Sequence, residues 1–336
     1  AQRNLKVLYT PQGFAASDRG VIEGLRETVK QPIVGDARDM LGLAETARPD
    51  LVLVLNGLHT FPADHASQID RIRALGIKTA VWFVDDPYFT DDSAKLAPHY
   101  DHVFTHELSC VPFYRHIGCP DVRYLPLAVS TTLYKPLAVD SRYCSDICFI
   151  GVGFPNRVRL FRRLVPYFAR KRVVIIGPLW NRLQGYRSIA GRVRLQRVSE
   201  EESVKYYNGA SVVINLHRAP DDPKYNRNSR NIPALSINPR TYEIAACGAF
   251  QLTDVREDLP TFYTPGYDIA TYGSADDLLG RIEYYLRHED ERRRIALRGL
   301  SRTIREHTFP NRLRWLLDAV FGPADANQNA ENAKEG

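Results

Sequence analysis

Residues 51–55 read Leu-Val-Leu-Val-Leu, an apolar run with no polar face. A strand with one wet side would alternate, so a run apolar at every position needs cover on both faces, as a buried parallel strand has. Parallel strands in turn require a crossover, usually a helix, between them. The rest of the chain supplies that alternation. Strands are predicted over 5–9, 51–56, 78–84, 103–106 and 123–127, with helices over 20–28, 66–75 and 109–117 and a loop of small residues at 11–17. Residues 128–139 read as a connector containing Pro136. The pattern then restarts, with strands over 146–150, 172–176, 193–196, 212–216 and 249–253. Helices are expected from the glycine-rich turn at 151 to about 169, over 200–210 with Ser199 as N-cap, and over 242–246, 274–287, 289–306 and 309–321. Residues 219–237 carry three prolines and several asparagines and read as irregular; a loop that long is usually functional. This is an α/β chain with two doubly wound parallel sheets.

A length of 336 residues suits two domains, each able to bury a core. A hydrophobic fraction of 44% and a charged fraction of 25% are those of globular chains. No apolar run approaches the roughly 18 residues that span a bilayer, so no integral membrane segment is expected. The opening residues lack the charged-then-apolar order of a signal peptide. Cys110, Cys119, Cys144, Cys148 and Cys247 are odd in number and scattered, which favours reduced thiols and a cytoplasmic location. Cys144 and Cys148 read as packing thiols, with no second pair or histidine cluster to complete a metal site. The net charge is +6, and residues 151–199 hold 12 Lys and Arg with no Asp or Glu. Such a field attracts anions. Most of these arginines are expected on solvated helix faces, and no nucleic-acid motif accompanies them, so no nucleic-acid partner is expected. The tail, 323–336, has no large apolar residue beyond its start and is expected to be disordered.

One segment, 238–254, combines a helix start, a tight turn and a strand. Pro239 suits a first helical position, and Gly248 can end the helix with a positive φ. A helix start offers N–H groups and the positive end of a dipole to an anion. Arg240 and Thr241 stand beside it as donors. Glu243, one turn on, can accept two ribose hydroxyls.

The run Arg240, Glu243, Ile244, Ala246, Cys247, Gly248, Leu252, Thr253 resembles the spore maturation protein CgeB family among GT-B glycosyltransferases. Trp-Phe-Val-Asp-Asp-Pro-Tyr at 82–88, Leu-Pro-Leu-Ala-Val at 125–129, Asp-Ile-Cys-Phe-Ile-Gly at 146–151 and Asn-Leu-His-Arg at 215–218 add to it, in order along nearly the whole folded chain. The resemblance implies a GT-B fold, with two Rossmann-like domains facing a cleft. It gives an acceptor domain over 1–130, a linker over 131–139 and a nucleotide-sugar domain over 140–308. A helix over 309–322 would return to the first domain. The related retaining enzymes carry a second glutamate at the position of Leu235, where this chain departs from them.

Ligands of such sheets lie beyond the carboxyl ends of the strands. Gly151 and Gly153 would let backbone approach a diphosphate, and Gly177 would let a nucleobase lie against backbone. Arg157, Arg218, Arg240 and a helix start would meet the charge that grows on a departing nucleoside diphosphate. Asn215, His217, Asn238, Thr241 and Glu243 complete the expected donor site; as a tight turn, a satisfied histidine or a solvated helix face, several of them would have only a structural role. In the first domain, Asp85 and Asp86 end a strand and are the candidates for taking an acceptor's proton, while Asp86 could equally cap the turn before Pro87. His106 and Glu107 are weaker candidates.

The reading is a metal-independent glycosyltransferase that needs no cofactor beyond its nucleoside-diphosphate sugar donor. The acceptor hydroxyl could belong to a glycan, a protein or a small molecule. A nucleotide-sugar epimerase on the same fold, or a non-catalytic nucleotide-binding or coat-associated protein, are the alternatives.

Overall fold

The five residues of Leu51–Leu55 form β3, and all are buried. Leu51, Leu53 and Leu55 enter one apolar cluster, while Val52 and Val54 enter another on the opposite face. The computed structural model describes residues 1–324, so most of the tail expected to be disordered lies outside the described residues. No helix among these residues is long and apolar enough to cross a membrane.

Two compact units are present. Unit 1 comprises Ala1–Ala128, Pro223–Leu235 and the chain from Thr308 onward. Its sheet runs β2-β1-β3-β4-β5-β6, with β1 Arg3–Thr10, β2 Val29–Val34, β4 Lys78–Phe83, β5 His102–Thr105 and β6 Val122–Tyr124. Every pairing is parallel. The helix Phe309–Phe321 covers one face, placing Phe309, Leu313, Leu316, Leu317 and Val320 in the cluster with Val7, Leu53 and Trp82. It lies along the helix Ala15–Thr28, where Gly20 and Gly24 make room: a Cβ at Gly20 would stand 2.1 Å from the Phe309 ring.

The range 140–308 expected for the second domain is interrupted, because Pro223–Leu235 packs within unit 1. Arg227 pairs with Asp92, Ser229 donates to Asp91, Thr90 donates to Asn228, and Ile232 enters the apolar cluster of Val52 and Val54. The Leu235 amide donates to Glu107 at 2.6 Å. Leu235, where the resemblance implies a glutamate, is thus tied to a carboxylate of unit 1.

Unit 2 comprises Val129–Asp222 and Ser236–His307. Its sheet runs β12-β11-β10-β7-β8-β9, with β7 Ser145–Ile150, β8 Val173–Ile176, β9 Val193–Arg194, β10 Ala210–Asn215, β11 Gln251–Thr253 and β12 Ala270–Thr271, again all parallel. Ile147 and Phe149 of β7 pack with Val212 and Ile214 of β10 and with Phe161, Trp180 and Leu278. The helix expected to reach 169 is two pieces, Pro155–Arg162 and Val165–Phe168, because Pro166 has no N–H to continue the ladder.

Candidate active site

The carboxyl ends of β7, β8, β10 and β11 meet the starts of two helices, Pro155–Arg162 and Pro239–Ala246. At the second, Asn238 is the N-cap: its Oδ1 accepts from the Thr241 amide at 3.0 Å and from the Thr241 hydroxyl at 2.9 Å. Asn215, at the end of β10, exchanges amide hydrogen bonds with Asn238 at 2.8 and 3.1 Å and donates to Thr241 at 3.2 Å. Asn215, Asn238 and Thr241 therefore fasten the helix start to the strand end. Asn215 and Thr241 are wholly buried, so their side chains hold the site together and do not face solvent.

His217 was expected to face phosphate or sugar, and its ring is engaged otherwise. Its Nε2 accepts the Asn238 amide at 3.0 Å, which places the ring proton on Nδ1, facing Asp254 Oδ1 at 2.6 Å. With 1% exposure the ring is a strut between β10, β11 and the helix start. Burial would raise the Asp254 carboxyl, but the bonds with His217 hold it below its ordinary value.

Arg157 also turns inward. It is 5% exposed and donates to the carbonyls of Leu216 at 2.9 Å and Val152 at 3.0 Å, stitching the turn after β7 to the end of β10. The glycines have an internal reason as well. Gly177 has φ +146°, and a Cβ there would stand 2.1 Å from the Gly151 carbonyl oxygen; the room expected for a nucleobase is filled by backbone. A Cβ on Gly153 would stand 3.0 Å from the Leu179 backbone. These glycines let the ends of β7 and β8 close on each other.

Arg218, Arg240 and Glu243 are half-buried. The Arg218 guanidinium lies over the Phe154 ring, 4.6 Å from its centre, and its carbonyl accepts from Arg256. Arg240 Nε donates to the Tyr207 hydroxyl at 3.2 Å. Burial would lower the Arg240 pKa, but Tyr207 and Glu243 beside it raise it. Burial raises the Glu243 carboxyl, against the opposing pull of Arg240 and a hydrogen bond with Tyr134. An acid and a base on adjacent turns of one helix, backed by two tyrosines, can bind a neutral polyol and an anion side by side.

Unit 1 holds the remaining candidates. Asp86 is 2% exposed, accepting from Thr105 at 2.6 Å and from Tyr114 at 2.8 Å. Burial pushes its carboxyl up to about 7, although both hydroxyls oppose the shift. The expectation that Asp86 faces a substrate is corrected: it is an interior hydrogen-bonding hub. Asp85 is more open and meets His59 Nε2 at 3.2 Å. His59 has φ +61° and lies edge-on to Phe89, on a loop clamped by Gln12, which donates to the Leu58 carbonyl and accepts its amide. His106 donates to the Asp86 carbonyl at 2.7 Å, and Glu107 accepts from Ser109 and Leu235.

Aligned over 317 residues, the chain is 31% identical to the spore protein CgeB of Bacillus subtilis (strain 168), covering 91% of this chain and 95% of that protein. The chain belongs to the CgeB family. A family described as glycosyl transferase-like matches residues 157–318, the stretch that carries His217, Arg240 and Glu243. Among solved structures, HepE of Anabaena, in complex with UDP and glucose, matches with a TM-score of 0.61 at 11% identity, over 94% of this chain and 99% of that one. A protein of Listeria monocytogenes described as a UDP-N-acetylglucosamine 2-epimerase by assignment matches with a TM-score of 0.55 at 10% identity, over 94% and 96% of the two chains. This CgeB-family protein is a glycosyltransferase of the GT-B fold.

Several residues of the site carried no sequence signal of their own. Asp254 and Tyr272, whose hydroxyl donates to the Asn215 carbonyl at 2.9 Å, lie far along the chain from their partners. Tyr134, Tyr207 and His59 likewise became visible only through the fold.

Proposed function

We propose that this CgeB-family glycosyltransferase moves a sugar from a nucleoside-diphosphate sugar to an acceptor hydroxyl, without a metal ion. The observation that carries the donor assignment is the half-buried pair Arg240 and Glu243 at the start of a helix that Asn238 caps, at the carboxyl edge of a parallel sheet. In this reading Glu243 accepts the ribose hydroxyls, and Arg240, Arg218 and the helix start stabilise the diphosphate. The complex of HepE with UDP and glucose, on the same fold, supports UDP as the first nucleotide to test.

In the transfer, the acceptor oxygen forms a bond to the anomeric carbon, the bond to the diphosphate breaks, and its electron pair leaves with the nucleotide. The acceptor proton must go to a base. Asp85, with His59 against it, fills that role in our reading, since Asp86 is enclosed. A cavity of about 570 Å³ among Gln12, Gly13, Asp36, Arg38 and Thr60, at the ends of β1 and β2, is the place we assign to the acceptor.

The test is calorimetry with UDP on the intact chain and on Glu243→Gln. A hydrogen bond to a charged group contributes about 1.5–3 kcal/mol, so affinity is expected to fall about tenfold or more. Unchanged affinity removes Glu243 from the site. Nucleotide release that needs an acceptor marks a transferase; an epimerase would convert the sugar nucleotide alone.

A further inference from the structure

The proposed donor site uses the carboxyl ends of the second sheet, and the amino ends carry a separate pocket. A cavity of about 450 Å³ opens there, lined by Arg142, Lys171, Arg172, Arg192 and Arg194, with no acidic residue in its lining. It accounts for part of the acid-free basic run read in the sequence. The carboxylates nearby are already engaged. Asp146 accepts from the Arg172 amide and guanidinium, and Glu202 accepts from Lys205 and the Tyr143 hydroxyl.

Arg172 is paired with Asp146, and the other cations are held in place by groups that leave their charge uncompensated. Arg192 donates to the carbonyls of Lys171 at 3.0 Å and Ala169 at 2.8 Å. Arg194 lies over the Tyr206 ring at 5.3 Å, and Arg142 over Tyr143 at 4.9 Å. Ser145 also lines the pocket; it is 6% exposed, and its hydroxyl has no hydrogen-bond partner among the described residues.

We propose that this pocket binds a ligand bearing several closely spaced phosphate groups, at a site separate from the donor site. Guanidinium forks match phosphate oxygens two at a time, which a compact ammonium does not. A single phosphate would leave most of the four remaining like charges, those of Arg142, Lys171, Arg192 and Arg194, uncompensated, whereas a run of phosphates offsets them together. The volume lies within the range of small-ligand sites.

The test is calorimetry of sodium tripolyphosphate on the full chain at low salt, with saturating UDP present to occupy the donor site. Binding is expected, weakening as salt screens the charges. In the double variant Arg172→Glu, Arg194→Glu the affinity should fall at least tenfold, while UDP affinity stays unchanged. If that variant fails to fold, Arg194→Gln alone should still weaken tripolyphosphate severalfold. Long-chain polyphosphate distinguishes the source: equal affinity per site marks a small free ligand, and much tighter binding marks the phosphate run of a larger molecule. No tripolyphosphate binding beside UDP, or equal binding by the variants, overturns the proposal. A failure of UDP to bind would instead count against the donor assignment, and the arginine variants would still decide the pocket.

Discussion

Asp86→Asn separates an interior carboxyl from a catalytic one, and pH is the variable that does it. In the folded chain burial lifts this group from 3.8 to about 7. The difference is about three pKa units, each equivalent to about 1.36 kcal/mol, or about 4 kcal/mol in all. Between those two values the folded state keeps a proton that the unfolded state has released. The folded state thus binds more protons, and the free energy of unfolding falls as pH rises. The stability is present in full below the unfolded pKa and is lost as pH climbs through about 7. Asparagine cannot ionise, yet its amide can still bond to the hydroxyls of Thr105 and Tyr114. Urea unfolding of both proteins between pH 4 and 8 reads the difference. The original chain should lose up to about 4 kcal/mol more than the variant over that span, and turnover should survive the substitution. Parallel stability curves would refute the burial argument. Lost turnover in a folded variant would return Asp86 to the chemistry.

Gly177→Ala should destabilise the chain by about 1–3 kcal/mol or more, since the new methyl meets the Gly151 carbonyl; chemical denaturation measures it, with UDP affinity falling in parallel. Leu313→Ala removes a side chain with 0% exposure under the first sheet, and a loss of about 2–5 kcal/mol is expected in thermal or urea unfolding. Sugar transfer should persist in EDTA, because cationic side chains and a helix start carry the phosphate charge in our reading; activity abolished by EDTA and restored by manganese or magnesium would overturn that part of it.

Strand β3 was legible because burial on both faces leaves no polar position in it, and β4, β7 and β10 because each carries a run of three or four apolar residues. Edge strand β2 was not: Lys30, Gln31 and Pro32 give it no apolar period, and an edge is where a sheet tolerates proline. The start of the Pro239–Ala246 helix could be read from Asn238, Pro239 and Gly248, since capping is local. The uses of the site residues could not. His217 looked available because its partners, Asn238 and Asp254, lie 21 and 37 residues on. Arg157 looked like a phosphate ligand because nothing local shows that the Leu216 carbonyl will receive it. Asp86 next to Asp85 read as a pair, yet Thr105 and Tyr114 draw one inward and His59 meets the other.

The chain passes from one unit to the other after Ala128, Asp222, Leu235 and His307. During synthesis the first sheet has all six strands once Tyr124 has emerged, but its cover of Phe309, Leu313, Leu316 and Leu317 is made almost two hundred residues later. A ribosome adding about 5–20 residues per second leaves that apolar face covered only by the helix Ala15–Thr28, through Val21 and Leu25, for on the order of ten seconds or more. The amino-terminal half is thus the last part of the described fold to be completed, and it is the half a chaperone would have reason to hold.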